Sequence, residues 1–124
     1  MARTKLQQLV FRLATQTDAG RIQWEATDLD GVYQASFSSS AVHILELPNS
    51  DHPDEMDIVL RIYNEAGRLV EEIRDPDIAG GDVTASAAYS TMKDMFGAAR
   101  RYAMGVEQVI DKLNSELEEN ELPF

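Results

Sequence analysis

The sequence predicts an α+β fold: an N-terminal helix, an antiparallel meander of four to five strands, and a long C-terminal helix packed on one face of the sheet. Three observations carry this. Apolar residues near the N-terminus recur every three to four positions, apolar and polar residues alternate through the middle, and the last third holds a heptad spacing. The chain has 124 residues, 44% of them hydrophobic. That suits a single domain over 1–124 with enough apolar material for a core.

The first helix is expected over 1–19. Leu6, Leu9, Val10 and Leu13 share one helical face, and Phe11 lies off it, which predicts that the helix buries more than one side. Asp18-Ala19-Gly20 supplies the stop. The meander is expected over 21–74. Ile22, Trp24 and Ala26 alternate with Arg21, Gln23 and Glu25, as in a half-buried strand. Asp28-Leu29-Asp30-Gly31 turns the chain into Tyr33, Ala35 and Phe37, again alternating with polar residues. A third strand runs from Val42 to Leu47, a polar loop spans Asn49 to Glu55, and a fourth strand runs from Ile58 to Tyr63. Asn64-Glu65-Ala66-Gly67 repeats the turn logic before a fifth strand, Leu69 to Ile73. Arg74 to Asp82 reads as a loop, too short to divide the chain into two domains.

A long helix is expected over 84–119, with Thr84 or Ser86 as its N-cap. Met92, Phe96, Ala99, Ala103, Val106, Ile110, Leu113 and Leu117 alternate four- and three-residue steps, a heptad seam and candidate helix interface. Unbroken, such a helix is about 50 Å long at 1.5 Å per residue, whereas a domain of this size is about 30 Å across. The helix must therefore break, at Gly97 or Gly105, or overhang the sheet. An overhanging apolar seam needs a partner to shield it from water. An acidic tail closes the chain over 120–124.

Charge and composition limit the function. The chain has 22 Asp+Glu against 11 Lys+Arg and a formal net charge of -11. Nucleic acid and anionic membranes are poor partners for so acidic a chain, because both reward Lys and Arg. There is no cysteine, hence no disulfide, thiolate nucleophile or Cys-based zinc site. Leu6 to Ala14 is interrupted by Gln7, Gln8 and Arg12, so no signal peptide is expected, and no run of about 18 apolar residues suggests a membrane span. The expected location is cytoplasmic. The acidity is uneven: four cations balance four carboxylates over residues 1–42, so the whole excess falls in 43–124.

No catalytic constellation is visible, and no catalytic, cofactor-binding or metal-ligating residue is assigned. Asp51-His52-Pro53-Asp54-Glu55 and Asp57 resemble a cation loop in composition, but the offsets miss those of calcium loops and Pro53 interrupts them; a solvated loop is the expectation. His43 has no Ser-His-Asp or metal-spaced companion and reads as a sheet residue. Asp28 with Asp30 and Asp75 with Asp77 read as turn residues. Gly80-Gly81-Asp82 lacks the lysine of a phosphate loop. Trp24, the only tryptophan, reads as a core anchor. Arg100 and Arg101 are the candidate anion or partner contacts. Their helical neighbours, Phe96, Gly97, Ala98, Ala103, Met104 and Gly105, include no acid, and Gly97 to Ala99 keep the helix surface low there. The competing reading pairs them with Glu71, Glu72 or Asp75.

In size, charge and helix–sheet–helix order the chain resembles small acidic bacterial chaperone and adaptor proteins. The heptad seam, the acidic surface and the missing catalytic constellation point to a non-catalytic protein-interaction module, homodimeric through the seam, that offers an acidic surface to a protein partner as an adaptor or chaperone does, or to a basic partner as an inhibitor of immunity type does. The alternative is a small-molecule or anion-binding protein, or an enzyme, with a pocket between sheet and C-terminal helix lined by His43, Tyr63, Arg100 and Arg101. Against the solvated-loop expectation, a divalent-cation site in the loop from Asp51 to Asp57 is the third hypothesis.

Overall fold

The computed structural model describes residues 3–120 and has the expected α+β architecture. Helix α1 (Lys5–Asp18) leads into strands β1 (Trp24–Ala26), β2 (Tyr33–Ser36), β3 (Ser40–Pro48), β4 (Met56–Asn64) and β5 (Leu69–Arg74). A short 3₁₀ turn (Asp75–Ile78) precedes helices α2 (Ala85–Ala103) and α3 (Val106–Asn120). All five strands form one antiparallel sheet in sequence order. The acidic tail expected over 120–124 lies, Asn120 apart, outside the described residues.

Helix α1 forms because both its ends are satisfied. Thr4 accepts from the Gln7 backbone N–H at 3.1 Å, and the Gln7 side chain accepts from the Thr4 N–H at 3.0 Å, a reciprocal capping box. At the other end the Gly20 N–H reaches the Thr17 carbonyl and the Arg21 N–H the Gln16 carbonyl, closing a Schellman motif. The buried Gln7 amide also donates to the carbonyls of Ile78 and Gly80, at 3.0 and 3.2 Å. Thr17, likewise buried, accepts from the Trp24 indole N–H at 3.1 Å. Each bond satisfies a polar group that burial would otherwise penalise by about 1–3 kcal/mol.

Register places two different faces on the sheet. Trp24, Ala35, Val42 and Ile62 align in one row, and Tyr33, Ile44, Leu60 and Ile73 in the next. This face carries the core, which Met92, Met95, Phe96 and Ala99 of α2 and Val10 and Leu13 of α1 complete. Full burial of one such aliphatic side chain contributes about 1.5–3 kcal/mol. Helix α2 lies on the sheet; α1 packs against α2 and the 3₁₀ turn. The opposite face bears the row Gln34, His43, Arg61, Glu72, with Leu45 and Val59 buried beside Arg74.

Two expectations need correction. The stretch from Arg74 to Asp82, read as a loop, contains the 3₁₀ turn. Ile78 there is fully buried, Asp77 accepts from the Arg74 N–H at 2.9 Å, and Asp75 accepts from the Ile58 N–H at 2.9 Å. The single helix expected over 84–119 is two helices, α2 and α3. The break falls at Gly105, one of the two candidate glycines, whose φ of +62° cannot continue a right-handed helix; Gly97 stays helical.

Candidate functional site

Helix α2 starts at Thr84, whose hydroxyl accepts from the Ala87 N–H at 3.0 Å. At 1.5 Å per residue its 19 residues reach about 28 Å, the width of the domain. The first half of the heptad seam, Met92, Phe96 and Ala99, lies in the core; Ala103 and Val106 are half-buried. At Gly105 the chain leaves the body. Among the described residues helix α3 packs against no element but α2, and residues 107–120 are all exposed. The second half of the seam is therefore bare: Ile110 is 41% exposed, Leu113 51% and Leu117 59%. Val109, outside the heptad pattern, joins them on the same stripe, which Val106 begins. Glu107, Asp111, Glu116, Glu118 and Glu119 outnumber Lys112 around the stripe.

Arg100 and Arg101 part company. Arg101 forms an ion pair with Glu107 across the break, clipping the root of α3 to the end of α2. Arg100 is exposed and makes no ion pair among the described residues. The pairing expected with sheet carboxylates does not occur. Glu72 is held by Arg61 at 2.9 Å and Arg74 at 3.6 Å, Asp75 is held by the Ile58 N–H, and Glu71 is in no ion pair among the described residues. The Arg61 guanidinium, foremost, holds the Glu72 carboxyl below its usual range.

Nor do His43, Tyr63, Arg100 and Arg101 line one pocket. The gap between sheet and α2 is filled by core side chains, among them Tyr33 and Phe96, with ring centroids 5.8 Å apart. His43 and Tyr63 stand on the opposite sheet face, their rings 4.6 Å apart, and the His43 Nε2 pairs with the Gln34 Oε1 at 2.8 Å. Burial, and then the charge of Arg61, push the His43 pKa down and favour the neutral ring. In the loop from Asp51 to Asp57, Asn49 accepts the N–H groups of Asp51 and His52, while Asp57 is bound by Arg74 at 3.0 Å and Asn49 at 3.0 Å. Among the described residues no three Asp, Glu or His side chains gather where they could hold a metal.

A groove runs along the outside of the α1–α2 pair. Phe11, Ala14, Thr15 and Asp18 form one wall, and Thr91, Asp94, Met95 and Ala98 the other, around a volume of about 420 Å³. An adjoining hollow of about 320 Å³ shares Thr17, Asp18 and Ala98 and continues to Arg101, Tyr102 and Glu107. Two sequence signals pointed here without being joined: Phe11 lies off the main α1 stripe, and Gly97 to Ala99 keep α2 low. Only the packing of α1 beside α2 makes them one feature.

Charge follows the architecture. Arg3, Lys5, Arg12, Lys93, Arg100 and Arg101 outnumber Asp18 and Asp94, giving the α1–α2 layer a net +4. Helix α3 has a net -4, and the sheet with its loops, residues 19–84, has -10. Among the described residues no helix is long and apolar enough to cross a membrane. Compared with known proteins, the chain matches no family model, no curated protein and no solved structure.

Proposed function

We propose that this chain is a non-catalytic protein-interaction module that works as a homodimer and offers its acidic sheet and loops to a basic protein partner. The observation that carries the reading is α3: a 15-residue helix with an apolar stripe and nothing over it among the described residues. An isolated helix of that length is marginal in water, so an exposed stripe of Val109, Ile110, Leu113 and Leu117 is best accounted for by a surface that covers it. The acidic sheet supports the second half of the reading. A net -10 over the sheet and its loops, residues 19–84, steers a cation-rich partner towards it and makes association fast at low salt.

Light scattering at high micromolar concentration tests the first half: a dimer mass is expected, and a strict monomer overturns it. For the second half, capture from the native host followed by mass spectrometry should return a basic protein whose association slows as salt rises. A captured partner whose association rate ignores ionic strength counts against the electrostatic part.

A further inference from the structure

We propose that the apolar stripe of α3 seats in the α1–α2 groove of a second copy, each copy lending its α3 to the other. This rests on the homodimer reading above and says which surfaces meet. Four observations converge on it. The first is shape: Thr17 apart, each helix lines the groove with residues at i, i+3, i+4 and i+7, and Ala14 and Ala98 keep its floor low, the form that receives the ridge of a third helix. The second is length. From Val106 to Leu117 the stripe extends about 16 Å, and from Thr91 to Arg101 the groove extends about 15 Å, at 1.5 Å per residue. The third is charge: α3 carries -4 and the α1–α2 layer +4. The groove itself is lined by Asp18 and Asp94, with Arg101, paired with Glu107, at one end; the cations flank it, Arg3 and Arg12 lining the neighbouring hollow beyond Phe11 and Thr15, with the Arg3 guanidinium 4.1 Å from the Phe11 ring centroid.

The fourth is what the alternative would cost. Pairing α3 with α3 brings two helices of net -4 together, and like charges across a helix seam repel. Reciprocal exchange sets α3 against the α1–α2 layer of net +4 instead and closes with twofold symmetry, covering the α3 stripe and the groove together and leaving no open end to polymerise.

The absence of cysteine from the chain makes the test clean. Ala98→Cys and Leu113→Cys are prepared as separate variants, checked for an unchanged melting profile, mixed and oxidised. A second pair, Ala14→Cys with Ile110→Cys, guards against a misfolded variant or an unlucky register. A mixed disulfide between the two variants of either pair, formed in preference to either self-disulfide, is the expected result. It should fall at least tenfold when salt is raised from about 50 to about 500 mM, as charges exposed at a rim are screened. If Leu113→Cys joins only itself while light scattering shows a dimer, the groove assignment is overturned and the homodimer stands. If neither pair cross-links and the protein is a monomer, both fall.

Discussion

Helices α2 and α3 carry two halves of one heptad seam, and the fold treats them in opposite ways. Met92 in the first half is fully buried, whereas Leu113 in the second is half exposed. The residues are of similar apolar character, and the spacing does not change between them. What changes is the neighbour: sheet and α1 stand over α2, and among the described residues no such element stands over α3. An apolar stripe therefore states that a helix has something to bury, without stating against what.

The sharpest way to break the comparison is to truncate one residue from each half. Met92→Ala should lower stability by about 2–5 kcal/mol, since it removes buried volume that its surroundings cannot refill. Leu113→Ala should change the stability of the monomer by no more than about 0.5 kcal/mol. Urea unfolding at low protein concentration measures both, and equal losses would mean that α3 is packed after all. Next, Ile110→Asp with Leu113→Asp should leave the fold intact yet weaken dimerisation at least tenfold, about 1.4 kcal/mol, by sedimentation equilibrium. At the junction, Gly105→Ala should cost about 1–2 kcal/mol, because alanine resists the left-handed conformation that Gly105 holds. No loss in chemical denaturation would mean that α2 and α3 can merge.

The smallest effect comes from the sheet face that no helix covers. His43 has a pKa below its ordinary 6.5 in the folded state, so the unfolded chain takes up its proton first as pH falls. The stability attached to the neutral ring is present above pH 6.5 and declines below it, towards the depressed folded value. Comparing wild type with His43→Gln by thermal melting from pH 7.5 to 5 should show the wild type losing more. Parallel curves would mean that His43 does not drive the loss.

Much of this molecule was legible in the chain. The strand from Tyr33 to Ser36 lies within a residue of where alternation put it, because a half-buried strand writes its pleat directly into the sequence. The Asn64–Gly67 turn forms as its residues suggest, with Asn64 Oδ1 accepting from the N–H groups of Ala66 and Arg68. Asp75 and Ile78 were hidden inside a segment rich in Asp, Pro and Gly. Their burial depends on β4 and α2 arriving from elsewhere, which no local pattern encodes. The candidate arginines were legible as cations without in-helix partners. That Arg101 would find Glu107 six positions on required the break at Gly105.

By itself, the sequence determined the helix–sheet–helix order, the apolar pattern of each element, the acidity and the existence of a seam. These are properties of single residues and short spacings, and local physics reads them. Tertiary structure decided which half of the seam the body consumes, which sheet face the helices leave open, and that Phe11, Ala14, Met95 and Ala98 share one groove. Those outcomes depend on which surfaces meet. A residue is buried only when some distant part of the chain covers it, and the domain is about 30 Å wide while its seam is longer.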